Sequence, residues 1–221
     1  FSSKKILKQK KNKQYYVEEL FDLLNLINPD KIKKDYRFNI PFELDKNIKK
    51  IFNDKLLYIG YAPGAGENDK IWHIEKYIKV IKFFEKNNFQ SVFFLGPDDL
   101  ELKNKIKMMF PKALYPEEII QNFSGPEIVM ACTKYLSIAL SNDSGVSHML
   151  STNYCPLVKL FGTKDPSKFT PDSPFIKTLS AKDYNSKDIN SIPTKIVINL
   201  IRQEILKHNN SSKHTFRNVQ V

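Results

Sequence analysis

An α/β domain built on a buried parallel sheet is the fold class that the sequence predicts, and three observations predict it. Short apolar runs recur from residue 55 onward: LLYIGYA (56–62), SVFFLG (91–96), YLSIALS (135–141) and PLVKLFG (156–162). Between and around them lie stretches of helical length and spacing, roughly 73–87, 99–109, 125–134 and 144–152. Turns containing Gly, Asp and Ser separate the two kinds of segment. Strands apolar on both faces that alternate with helices belong to βαβ units, in which helices cover both sides of the sheet.

Taken in order, residues 15–29 (YYVEELFDLLNLINP) place Val17, Leu20, Phe21, Leu24 and Ile27 at helical spacing, and Pro29 closes the pattern. A Lys-rich polar stretch follows to about residue 37, then an extended piece, RFNIPFELD (37–45), and a short helix, NIKKIFND (47–54). These first 54 residues show no core of their own and are expected to form a connector. The domain proper runs over 55–192. Within it Ser124-Gly125-Pro126-Glu127 forms a capping-box pattern, the hydroxyl accepting a backbone N–H and the carboxylate reaching back, which marks a helix start. A last helical segment, 193–209, leads into a polar tail, 210–221, that is expected to fray.

With 221 residues, 41% hydrophobic and 12% aromatic, the chain can bury a sizeable core, which excludes global disorder. No uncharged apolar run reaches the roughly 18 residues that a membrane-spanning helix needs. Cys132 and Cys155 sit in neither a CxxC nor a Cys/His cluster, so no disulfide framework and no metal centre are expected. No apolar segment follows the charged start FSSKKILKQKKNK, and a reducing, cytoplasmic compartment is expected. The net charge of +11 invites a nucleic-acid partner, but its distribution argues against one. Residues 1–14 hold six Lys and no acid, residues 202–221 four bases against Glu204, and the 187 residues between them 25 bases against 23 acids. Of 35 bases only Arg37, Arg202 and Arg217 are arginine, the residue favoured for base-edge and phosphate-fork recognition.

In an open parallel sheet, ligands lie outside the carboxyl ends of the strands, so the loops after each strand are where function is sought. Four stand out. The first is Ala62-Pro63-Gly64-Ala65-Gly66, continuing to Lys70-Ile71-Trp72-His73. Its glycines let backbone approach a ligand and its lysine can meet a phosphate; it reads also as a glycine turn with a solvated lysine, Trp72 in the core and His73 at a helix start. It is neither GxGxxG nor GxxxxGK[ST]. In the second, Gly96-Pro97-Asp98-Asp99-Leu100-Glu101, carboxylates at a helix start either cap it or accept hydrogen bonds from sugar hydroxyls. The third, Ser141-Asn142-Asp143-Ser144-Gly145-Val146-Ser147-His148, is the most informative. There Asn142 or Asp143 can cap the helix, Ser144 and Gly145 expose its first amides to an anion, and His148 lies a turn further in. Ser144, His148 and Asp143 are too crowded for a hydrolytic triad, and GxSxG is absent. The fourth, Phe161-Gly162-Thr163-Lys164-Asp165-Pro166 and on to Pro171, can close over a phosphate.

Read together, APGAG with Lys70-Ile71-Trp72, LGPDD, the EIVMACTKYLSIAL unit, SNDSGVSH and LFGTKDP resemble the carboxyl-terminal half of family 9 glycosyltransferases, the ADP-heptose:lipopolysaccharide heptosyltransferases and their relatives. The resemblance spans roughly residues 15–208. It implies the GT-B fold, in which two Rossmann-like domains face across a cleft and the carboxyl-terminal one holds the nucleotide-sugar donor. Under it Lys70 would contact the donor's diphosphate or sugar, and Gly64, Ala65 and Gly66 would border that sugar. Asp98, Asp99 or Glu101 would face the ribose. Asp143, Ser144, Gly145 and His148 would line the donor site, with Gly162 beside them.

The implied donor is ADP-heptose-like and the implied acceptor a glycolipid at the inner face of the cytoplasmic membrane. The implied reaction is an inverting single displacement without bound metal or cofactor, Lys70 and the amides of 144–148 neutralising the leaving diphosphate. Asp98 and Asp99 are adjacent and form no DxD pair. Family members often carry Arg-Trp-Pro where this chain has Ile71-Trp72-His73. The acceptor-binding domain, with its candidate catalytic aspartate, would precede residue 1, so no catalytic residue is assigned within the chain. Residues 1–54 would be the end of that domain and the interdomain connector, and 193–209 the helix crossing back toward it. The alternative is a non-catalytic nucleotide-sugar-binding module or truncated remnant.

Overall fold

The computed structural model describes residues 37–209, Asp172 excepted; the helix expected over 15–29 and the tail at 210–221 lie outside the described residues. In chain order the elements are α1 (Phe42–Ile51), β1 (Leu57–Ala62), α2 (Ile74–Lys86), β2 (Phe89–Phe93), α3 (Leu100–Met109), α4 (Pro116–Ile119), α5 (Gly125–Cys132), β3 (Ile138–Asn142), α6 (Gly145–Leu150), β4 (Leu157–Phe161), α7 (Pro166–Phe169), β5 (Ile176–Ser180) and α8 (Thr194–Asn209). The strands form one sheet in the order β2-β1-β3-β4-β5, every pair parallel. Every residue of β3 and β4 is buried, as a sheet covered on both faces requires.

Side chains alternate between the two faces, and each face has its own helices. Ile59 and Tyr61 of β1 point to a core built with Tyr77, Val80, Ile81 and Phe84 of α2, Ile106 of α3 and Val197 and Ile201 of α8. Tyr58 and Ala62 point the other way, toward Leu44 and Ile48 of α1, Ile128 and Val129 of α5 and Leu150 of α6. The spacing of Tyr77, Val80, Ile81 and Phe84 is the i, i+3, i+4, i+7 stripe of an amphipathic helix. That helix stops at Asn87-Asn88, where Asn88 takes a left-handed φ of 65°, a conformation asparagine tolerates at a helix end.

The expected capping box is present: Glu127 N donates to Ser124 Oγ (3.4 Å) and Ser124 N donates to Glu127 Oε2 (2.9 Å). Several elements differ from expectation: the short helices α4 and α7 have no counterpart in it, and three further differences bear on the sheet and its cover. The extended piece over 37–45 and helix over 47–54 are replaced by one helix from Phe42, because Pro41 immediately precedes its first turn, where a missing N–H costs nothing, and Glu43 and Asp45 suit that turn's dipole. The third strand begins at Ile138 because residues 133–135 form a 310 turn, Leu136 N donating to Thr133 O. β5 adds an edge strand in a stretch with no strand expectation; its central Lys177, Thr178 and Leu179 are only half-buried, so no apolar run announces it.

Candidate functional site

With all strands parallel, their carboxyl ends share one edge, and the four candidate loops leave from it. The order 2-1-3-4-5 changes direction between β1 and β3. The helices that follow these two strands, α2 and α6, cover opposite faces of the sheet, so the loops after β1 and β3 part there, at the place where open parallel sheets hold a ligand crevice.

Asn142, the last residue of β3, fixes the two sides of that crevice. Its Nδ2 donates to Pro63 O (2.7 Å), and its Oδ1 accepts from Tyr77 Oη (3.2 Å) and Trp72 N (3.4 Å). Trp72 is fully buried, set edge-on to Tyr77, and its Nε1 donates to Ile192 O (3.2 Å). These buried bonds set where the Gly64–Gly66 turn sits relative to β3. They also make Trp72 a core residue, and His73 precedes the first turn of α2.

Asn142 and Asp143 therefore do not cap α6, contrary to the expectation for them; both side chains are already committed elsewhere. Ser144 occupies the N-cap position in extended backbone (φ −143°, ψ 170°). The Ser147 hydroxyl accepts from Ser144 N (3.4 Å) and donates to Ser144 O (2.6 Å). Ser144 Oγ itself is buried and has no hydrogen-bond partner among the described residues, and Gly145 is exposed with open space where a side chain would stand. Asp143 is 7% exposed and pairs with Lys159 of β4 (Oδ1–Nζ 2.8 Å). His148 faces solvent near that pair; desolvation and the Lys159 charge hold its imidazole below the ordinary range, with Asp143 opposing.

The remaining loops close against these two. Gly64 packs on the Asp99 carboxylate so tightly that a Cβ would overlap it, and Asp99 Oδ2 accepts from Gly96 N (3.0 Å). Burial pushes the Asp99 carboxyl above its usual range, the Gly96 N–H opposing. A Cβ on Gly162 would stand 2.9 Å from Asp69 O, so glycine lets the Asn68–Lys70 turn lie on the end of β4. Lys70 Nζ pairs with Glu67 Oε1 (2.6 Å), a contact that holds the Glu67 carboxyl below its usual range. Ala65 is half-buried and Gly66 exposed.

The structure thus brings together Gly64, Lys70, Asp143, Ser144, Gly145, His148 and Gly162. Asp98 and Glu101 are exposed, and Asp99 lies against Gly64 while it accepts from Gly96 N in its own turn. Two residues escaped the sequence reading. Lys159 had a visible signal, a lone charge inside the apolar run LVKLF. Glu117 of α4 had none; it accepts from Leu95 N (3.4 Å) beside the loop after β2, and burial pushes its carboxyl up to about 7. Among the described residues no three His, Cys, Asp or Glu side chains gather as a metal-holding group, and no helix is long and apolar enough to cross a membrane.

The sequence model of glycosyltransferase family 9 (heptosyltransferase) matches residues 1–194. The chain belongs to glycosyltransferase family 9. This family 9 chain is 26% identical over 187 residues to lipooligosaccharide heptosyltransferase 2 of Campylobacter jejuni subsp. jejuni serotype O:2, a match covering 79% of the chain and 58% of that protein. Its fold is similar to the crystal structure of the glycosyl transferase family 9 from Veillonella parvula, with a TM-score of 0.75 at 19% identity over 89% of the chain and 62% of the other. It is similar also to E. coli heptosyltransferase WaaC with ADP, with a TM-score of 0.67 at 16% identity over 87% and 57%. The family 9 chain therefore spans less than two thirds of the length of each of these relatives.

Proposed function

We propose that this chain is the donor-binding, carboxyl-terminal half of a GT-B glycosyltransferase that moves a heptose or related sugar from a nucleoside diphosphate to a lipopolysaccharide core or other glycan acceptor. The observation that carries the reading is the placement of the loops after β1 and β3 at the switch point of the sheet. Gly64–Gly66 and Lys70 lie on one of these loops and Ser144, Gly145 and His148 on the other, and Asn142 ties the two. A similar fold in WaaC accompanies bound ADP, which supports a nucleoside diphosphate as ligand.

The diphosphate is read by Lys70, which exchanges Glu67 for phosphate oxygen, and by the Ser144 and Gly145 amides. The orphaned Ser144 hydroxyl supplies a further donor. His148, whose imidazole burial and the Lys159 charge push toward the neutral form, donates a ring N–H to the same group. The reaction is a single inverting displacement: a carboxylate of the acceptor-side domain takes the acceptor proton, the oxygen attacks the anomeric carbon, and the bond to the diphosphate breaks. The charge on the departing diphosphate meets Lys70 and oriented amides fixed beforehand, so no metal is required. The enzyme works in the cytoplasm, at the inner membrane face where a glycolipid acceptor is presented.

Thermal unfolding tests this directly. ADP at about a hundredfold its Kd stabilises a protein by about 2.7 kcal/mol, enough to raise Tm by about 5 °C or more in a chain of this size. An unchanged Tm in millimolar ADP and ADP-sugar contradicts the reading.

A further inference from the structure

A lysine at the centre of a buried strand calls for a physical reason. Lys159 is 1% exposed, and its neighbours on β4, Val158, Leu160 and Phe161, are fully buried and apolar. Burying an ammonium and a carboxylate costs several kcal/mol each, and an apolar side chain of similar volume at such a place is commonly neutral or stabilising. Stability of the sheet therefore gives no account of Lys159. What it adds is direction: Nζ donates to Asp143 Oδ1 (2.8 Å) in the loop after β3 and to Phe169 O (2.8 Å) at the end of α7, in the loop after β4. Nζ also lies 4.9 Å from the centre of the Phe161 ring, whose face favours a cation. The backbone of Asp143 is fixed separately, N donating to Leu160 O (3.0 Å), so Lys159 governs where the carboxylate points. Lys70 and His148 are further charged or titratable groups whose fields reach the pair.

We propose that Lys159 is a positioning residue of the donor site: from within the sheet it clamps the loop carrying Asp143, Ser144 and Gly145 to the loop ending at Phe169, and so fixes the β3 wall of the place that a nucleoside diphosphate enters. The proposal rests on the donor-site reading. Without the clamp, Asp143 is a buried carboxylate with no counter-charge, and its nearest relief is to swing toward the solvated crevice, where it repels phosphate. Lys159 and Asp143 also act as one unit in tying the two loops: loss of either releases the tie, and removing the second partner adds no further loss.

A double-mutant cycle on the full chain tests this, with the Kd for ADP measured calorimetrically at a temperature where circular dichroism shows every variant folded. Lys159→Met and Asp143→Asn are each expected to weaken ADP at least tenfold, and the double variant to bind no worse than the weaker single one. A Lys159→Met variant that binds within twofold of the wild type overturns the proposal, as does a double variant whose loss is the product of the two single losses. If Lys159→Met does not fold, the neutral pair of the double variant carries the test: a Kd equal to that of Asp143→Asn supports the clamp, and a further tenfold loss overturns it. A wild-type chain that fails to bind ADP overturns the donor-site reading itself, and the clamp with it; wild-type binding with an indifferent Lys159 overturns the clamp alone.

Discussion

Lys70 is the residue whose chemistry is simplest to isolate. Its ammonium is held by Glu67 in an exposed contact, the kind of ion pair that contributes little to stability. The close seat of Asp69 O against Gly162 places the turn that carries it. Lys70→Ala is therefore expected to leave Tm within about 1 °C of wild type while weakening ADP at least tenfold, since a charge-assisted phosphate contact contributes about 1.5–3 kcal/mol. Calorimetric titration beside a melting curve checks both halves of that statement. Lys70, Ser144, Gly145 and His148 could be picked out in the sequence as candidates, because a phosphate ligand would call for a cation and free amides after a strand, and the structure sets them at the carboxyl ends of β1 and β3. The roles of Asn142 and Lys159 were not, because each is defined by partners 60 or more residues or one whole strand away. Asp143 could be picked out as important, yet the cap geometry expected for it gave way to a stronger ion pair across β3 and β4.

At the scale of elements, the strands β1 to β4 and the helices α2, α3, α5, α6 and α8 were legible, since their apolar spacing and turn residues agree with the packing they enter. α1 shows where such agreement fails. Phe38, Ile40, Phe42 and Leu44 alternate like a strand, but only Leu44 and Ile48, four apart, are fully buried, and with Phe52 they cover the face of the sheet shared with α5 and α6. A segment that looks like a bare connector in sequence thus completes a core. Leu44→Ala is expected to cost about 2–5 kcal/mol, measured by urea unfolding, with ADP affinity in the folded protein unchanged because α1 lies away from the carboxyl edge. β5 escaped for the opposite reason: an edge strand with three half-buried central residues presents no continuous apolar run.

For the molecule as a whole, the charge of +11 describes mainly the two ends of the chain, while the body that carries the site is nearly neutral. Its function follows from topology more than from net field. A parallel sheet of order 2-1-3-4-5 brings four loops to one edge, and the change of direction at β1 and β3 decides which two form the crevice. Buried contacts then lock the loops in pairs: Asn142 to Pro63, Gly64 to Asp99, Gly162 to Asp69, and Lys159 to Asp143. A nucleotide seated there should quiet these loops together and leave the distant ends of the strands alone. Amide hydrogen exchange with and without saturating ADP measures this most directly. Slowed exchange concentrated in residues 62–70, 142–148 and 161–165 is the predicted result; unchanged exchange in those segments, or protection confined to other parts of the chain, would contradict the assignment of the donor site.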